Sequence, residues 1–245
     1  FIFIVPILFV VLLWEIICKL QLVNTSLFPS PWLVFQSMKK LLMDGTIISD
    51  SKASLLRVLI SLLLGSFLGI LVGLLTGRFK LFSLIFSPIG QILRQFPPVA
   101  IIPFTIVWFG IDEGAKIFAT SFAVFFPVWI STYTGVINIP QIYLSSASQF
   151  TKSQITIFTK IILPGALPFI ISGIRTSISV AFVMIFVSEL AGASSGLGYR
   201  ISISQSSYRM DDMMAVLIVL GILGASFDYL FLKITTKIFP WIHQR

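Results

Sequence analysis

Few residues in this chain have the types and spacing that chemistry requires. Gly192-Ala193-Ser194-Ser195-Gly196-Leu197-Gly198 has the glycine spacing of a phosphate-cradling turn, and Tyr229 with Lys233 supplies the Tyr-x-x-x-Lys pair that accompanies such a turn in dehydrogenases. A dinucleotide turn must leave a strand and open a helix inside a βαβ unit. Here it follows an apolar run with only 47 residues left after it, and Tyr229 and Lys233 lie inside the last apolar run. The Gly/Ser stretch therefore reads as a flexible external loop. The single histidine, His243, stands two residues from the end, and no Cys/His/Asp cluster has metal-ligand spacing. Cys18 is alone, which excludes a disulfide framework and predicts a small buried apolar residue. Asp and Glu total nine, mostly in the loops, and no nucleophile faces a base. Enzyme chemistry has no constellation to run on.

The elements that hold these residues are apolar. Hydrophobic residues make up 57% of the 245, charged residues only 11%, and the mean hydropathy is +1.03; a soluble domain is about 25% charged. Six runs are long enough for a bilayer core: 1–20, 57–76, 97–111, 116–137, 169–187 and 213–236. Without strand-like alternation they satisfy their backbones only as helices, which predicts an all-α polytopic membrane bundle of six transmembrane helices. The first run lacks a small-residue cleavage site and is expected to be a retained span; the start at Phe1 in place of Met predicts that a leading stretch is missing. The net charge of +8 fits basic residues flanking spans and meeting anionic lipid, and calls for no nucleic acid. Arg78, Lys80, Arg94, Lys152, Lys160, Lys237 and Arg245 fall on one side. Lys39, Lys40 and Lys52 fall on the other, so charge alone does not orient the chain. Within 21–56, Pro31–Met43 reads as a short interfacial amphipathic helix. Gly65, Gly69, Gly73 and Gly77 recur every four residues and predict a close helix crossing.

Polar residues inside the runs are candidates for a transport pathway. Pro97, Pro98 and Pro103 interrupt the third run, and broken helices at membrane depth line cavities or merely pack against protein. Arg175, with Ser179 nearby, must be paired or face a cavity, since a charge at the membrane centre costs about 3 kcal/mol. Glu189 reads as a gate residue or an interfacial acid. Ser121 and Tyr133 of the fourth run complete the candidates.

One polar stretch stands out, SSASQFTKSQITIFTKIILPGALP at 145–168. Pro140 suits a helix start, and Pro164 and Pro168 predict a bend before the next span. Tyr143/Leu144, Ala147, Phe150 and Gln154 share one face at helical spacing. A small-residue helix with an aromatic at each end is suited to insertion in a partner's groove; the alternative is a surface helix touching lipid heads.

This segment resembles the cytoplasmic signature loop of ATP-binding-cassette (ABC) importer permeases: Glu-Ala-Ala, three residues, Gly, nine residues, Ile-x-Leu-Pro. The register gives Ser145-Ser146-Ala147, Thr151 and Ile161-Ile162-Leu163-Pro164. Ala147, Ile161, Leu163 and Pro164 match in identity, while Ser145, Ser146 and Thr151 depart. LFPSP at 27–31, SLLRVL at 54–59, PPVAIIPFTIVWFG at 97–110, LPGALPFIISGIR at 163–175 and SELAGASSGLG at 188–198 follow in the order of the nitrate/sulfonate/taurine/bicarbonate permeases, a similarity covering about 27–230.

The resemblance implies a type I importer permease in a bacterial-type inner membrane, with the 140–164 coupling segment cytoplasmic. It implies docking of Tyr143, Leu144, Ser145, Ser146, Ala147, Phe150 and Thr151 on a cytosolic ATPase, with Ile161, Leu163 and Pro164 carrying the motif. It also implies a second permease copy as a homodimer and an extracytoplasmic solute-binding protein. ATP and Mg belong to the ATPase, with no cofactor in this chain. The expected cargo is a small anion (sulfonate, taurine, nitrate or bicarbonate), and a vitamin precursor is the alternative within the family. An ATPase-independent transporter or channel is the alternative outside it.

Overall fold

The computed structural model describes residues 4–242, and among these there are helices and turns but no strand. The helices are α1 (Ile4–Lys19), α2 (Pro31–Met43), α3 (Thr46–Arg78), α4 (Lys80–Leu93), α5 (Ile102–Phe109), α6 (Glu113–Ile137), α7 (Gln141–Phe150), α8 (Gln154–Ile157), α9 (Leu163–Gly192), α10 (Leu197–Ser206) and α11 (Met210–Ile238). Helices α3, α6, α8–α9 and α11 are each long and apolar enough to cross a bilayer, and α4 with α5 adds a fifth crossing if that bent pair is one span. Helix α1, on the first expected run, has 16 described residues. The outer faces are rich in exposed Leu, Ile and Phe, as expected where lipid is the solvent. His243 and Arg245 lie outside the described residues, as do the first three residues of the first run.

The chain divides into two compact units. One comprises the described residues up to Leu55 together with Glu189–Leu223. In it Trp14 of α1 donates its indole N–H to the Pro29 carbonyl at 3.2 Å, and the Cys18 thiol points at the Phe28 carbonyl at 3.7 Å, fastening the 20–30 loop. Helix α2 has the expected bounds, with Ser30 as its N-cap. It buries Val34, Ser37 and Leu41 and exposes Trp32, Leu33 and Phe35. Ser37 donates to the buried Asp212 carboxylate, which also pairs with Arg209.

The same unit corrects the reading of the Gly/Ser stretch as a flexible loop. The N-terminal N–H groups of α10 are held by side chains from other helices. Gly196 N–H donates to Asp50 at 3.0 Å, Leu197 N–H to Ser54 Oγ at 2.9 Å and Gly198 N–H to Glu189 at 2.9 Å. Two carboxylates at a helix N-terminus satisfy orphan donors and the positive end of the dipole together. Gly196 has φ +116°, and a Cβ there would stand 2.4 Å from the Glu189 carboxylate, so only glycine fits.

The second unit comprises Leu56–Ser188 with the chain from Gly224 on. Its centre is α6. The α3 glycines meet it in order, with added Cβ atoms falling 2.6 Å from the Ser121 carbonyl (Gly65), 2.8 Å from that of Phe125 (Gly69), 2.5 Å from Thr132 (Gly73) and 2.6 Å from Val136 (Gly77). Gly135 of α6 and Gly173 of α9 make an equally close crossing on another side. Arg57 at the other end of this stretch of α3 grips Glu113 with two bonds of 2.5 and 2.7 Å.

Two stretches differ from expectation. The third span, expected over 97–111, is a short 3-10 turn (Pro98–Ile101) followed by α5, set at 90° to α4. Pro97 and Pro98 forbid helical continuation, and Pro103 falls in the first turn of α5, where a missing N–H costs nothing. Pro164 was expected to bend the chain, yet helix runs without a break from Gln154 to Gly192. A π-turn at Phe158–Ile162 explains this: its wider i→i+5 register, one turn before the proline, relieves the ring's clash with the preceding carbonyls.

Candidate functional site

The polar 140–164 segment is not one helix. Helix α7 ends at Phe150, Thr151 is extended at φ −151°, ψ 140°, and α8 starts at Gln154 behind a Ser153 cap. Thr151 accepts a 3.1 Å bond from Ser153 N–H across the break. An extended backbone is open to a β-branched residue, so threonine at the position where the signature carries glycine introduces no strain.

The break puts Gln154 on a separate helix, and burial sorts the residues of α7 by direction. Ala147 is buried, and with Val136, Ile157, Ile162, Ala166 and Ile170 it forms an apolar core onto which Leu144, Ile161 and Leu163 pack. Phe150 is 90% exposed, Ile142 70% and Tyr143 59%. Ser145 and Ser146 are exposed too, Ser145 giving its carbonyl to Ser148 Oγ at 2.7 Å. Thus the expected single face splits. Leu144 and Ala147 anchor α7 to the bundle, and Ile142, Tyr143, Ser146 and Phe150 form the outward face. Gln154 belongs to the next helix, where it accepts a 2.7 Å bond from Arg78. Pro164 is exposed, and Ile161 to Leu163 hold the segment down from the other end.

A second polar locus lies between α4 and α6. Ser87, Gly90, Gln91 and Arg94 face Trp129, Ile130, Tyr133 and Thr134 across a cavity of about 180 Å³. Gly90 lets α4 lie on the Trp129 ring, which a Cβ there would strike at 2.1 Å, and the indole N–H is fixed on Thr76 Oγ1 at 3.0 Å. Sequence reading placed no span between the runs 57–76 and 97–111. The signal for α4 was the polar series Ser83, Ser87, Gly90/Gln91, Arg94 at helical spacing in an otherwise apolar stretch.

The remaining pathway candidates scatter. Tyr133 lines this cleft, whereas Ser121 borders a separate apolar hollow of about 500 Å³ among Phe118, Phe122 and Phe125. Pro97, Pro98 and Pro103 shape the bend and border neither cavity. Arg175 is paired: its Nε and Nη2 each stand 2.9 Å from the Asp228 carboxylate of α11, a partner that sequence reading missed. The pair stays half-exposed on the flank of spanning helices, and Ser172, Thr176 and Ser179 are exposed on the same side of α9. Glu189 is held in the interior of its unit. It is 1% exposed and accepts from Ser54 Oγ at 2.8 and 2.9 Å as well as from Gly198 N–H.

Solved structures share this architecture. A chain of the MetNI methionine ABC transporter in an inward-facing conformation is 24% identical with a TM-score of 0.64, over 78% of this chain and 93% of that one. An amino acid ABC transporter chain is 17% identical with a TM-score of 0.64, over 82% and 95%. The fold is that of ABC importer membrane subunits. The family model for the binding-protein-dependent transport system inner membrane component matches residues 65–243. A probable ABC transporter permease of Brucella melitensis is 35% identical over 87% of each chain. The putative aliphatic sulfonates permease SsuC of Bacillus subtilis is 32% identical over 95% of this chain and 84% of its own length. The taurine permease TauC of Escherichia coli is 29% identical over 93% and 85%. The chain belongs to the binding-protein-dependent inner membrane component family, and is a multi-pass permease subunit of an ABC importer. Its partners as a class are an ATPase and a solute-binding protein; ATP hydrolysis is the ATPase's.

Proposed function

We propose that the permease couples to its ATPase through the outward face of α7, on the cytoplasmic side. The observation that carries this is Phe150: a large apolar ring almost wholly exposed at the end of a ten-residue helix whose other face is locked in a core. Exposed aromatic anchors on a rigid support are what a partner's pocket recognises. The ATPase would bind and hydrolyse MgATP, and the motion of α7 would pass into α9 through the helical stretch that joins them. Two copies of this permease would surround the pathway, with Ser172, Thr176, Ser179 and the Arg175–Asp228 pair lining it. Polar side chains on a spanning helix are stable when they meet water or protein, not lipid.

The cargo we propose is a small oxyanion, an alkanesulfonate or taurine before nitrate or bicarbonate, supported by the sulfonate and taurine permeases among its relatives. The test is copurification of the ATPase from detergent with the intact chain and with Phe150→Glu. Loss with Phe150→Glu at unchanged permease yield supports the coupling face, and equal recovery overturns it. ATP-dependent uptake of taurine, nitrate and bicarbonate by the reconstituted importer then ranks the cargo.

A further inference from the structure

We propose that the cleft between α4 and α6 is a binding subsite for a short alkanesulfonate, with Arg94 taking the sulfonate head. This rests on the importer reading and deepens it to a site. Among the described arginines, Arg57, Arg175, Arg200 and Arg209 each sit on a carboxylate, and Arg78 sits on the Gln154 amide. Arg94 has no side-chain partner among the described residues, yet it borders a formed cavity. A guanidinium presents donors in a planar fork suited to tetrahedral oxyanions. Around it stand further donors, the Gln91 amide and the Tyr133, Thr134 and Ser87 hydroxyls, with no carboxylate in the lining. Trp129, Ile130 and Gly90 supply an apolar wall. Head and tail of an alkanesulfonate match these two halves. A cavity of about 150 Å³ takes a benzene-sized molecule, so a cleft of about 180 Å³ suits a ligand of about six to eight heavy atoms. Because no acid faces the cleft, a taurine ammonium gains nothing there, so ethanesulfonate is expected to bind at least as well as taurine.

A phospholipid headgroup carries the same tetrahedral anion, so the test must separate the two. Saturation-transfer NMR would follow ethanesulfonate on the permease–ATPase complex in phosphatidylcholine nanodiscs, without binding protein. The expected result is saturable binding that Arg94→Gln weakens by about tenfold or more and Tyr133→Phe by a few-fold, since bonds to a charged group outweigh neutral ones; Arg94→Lys retains part of it. Unchanged binding in Arg94→Gln, or no saturable signal from the intact complex, overturns the subsite. So does binding abolished by adding phosphatidylglycerol, which would make the occupant a lipid. ATPase copurification with the intact chain is scored separately: its failure overturns the proposed coupling face, whereas copurification without binding removes the subsite alone.

Discussion

Phe150 and Ala147 are three residues apart and do opposite things, and substitutions should tell them apart. Ala147 sits in a filled apolar core, so Ala147→Arg buries an unpartnered charge and is expected to cost at least about 3 kcal/mol. It should appear as a large fall in the thermal midpoint of the detergent-purified protein. Phe150→Glu lies in the open and should leave that midpoint within about a degree or two, while abolishing ATPase recovery. Residue identity alone could not separate these two positions, because helical spacing put both on one face. The separation comes from packing: Ala147, beside Leu144, turns into the core under α7, while Phe150 at the helix end faces away from it. Glu189 shows the same limit: its charge was visible, but not the Ser54 hydroxyl, distant in sequence, or the fold of the turn that brings the Gly198 N–H onto it.

At the scale of elements, the glycine stripe of α3 was legible because a four-residue repeat needs no tertiary knowledge. Gly73→Ala would push a methyl to 2.5 Å from the Thr132 Cβ and should destabilise by about 1–3 kcal/mol. Gly221→Ala, with nothing within 4 Å of the added atom, should be neutral or slightly stabilising. Thermal melts of the two variants check the contrast. Helix α4 was not legible as a helix, since a polar stripe interrupted by Pro88 and followed by Pro97 and Pro98 reads as a loop until Trp129 is seen packing on Gly90. The 140–164 segment carries Lys152 and Lys160 as its only charges. Its ATPase contact should therefore rest on Phe150 and hydroxyls and survive about 1 M salt, where the screening length is only about 3 Å. Copurification across a salt series measures this.

For the whole molecule, the prediction concerns what the exposed flank of α9 faces. If it lines the pathway, Ser172→Cys and Ser179→Cys in a Cys18→Ser background should react with a membrane-impermeant thiol reagent, and Val5→Cys on the apolar outer face of α1 should not. Arg175→Ala should cut ATP-driven uptake by about tenfold or more, because a lone Asp228 would be left beside the route of an anion. Equal uptake by Arg175→Ala and the intact chain would make the pair structural only. Composition made the membrane bundle plain from the sequence, and the order of motif blocks pointed to the family. Which polar residues gather was not plain, because Arg94 with Tyr133 and Arg175 with Asp228 are brought together by packing across long chain separations.

The π-turn at Phe158–Ile162 sets a rule about length. It holds one residue more than an α-helix of the same rise, so removing that residue would restore an ordinary α-turn and keep the upstream faces in place, whereas removing one from α9 would rotate everything upstream by about 100°. Ile157 would swing out of the core and the outward face of α7 would point elsewhere. Substitutions at the exposed Thr159 or Lys160 leave that phase untouched. The π-turn should therefore accept both changes of spelling and the loss of a single letter, a loss that the regular helix beyond it would not survive.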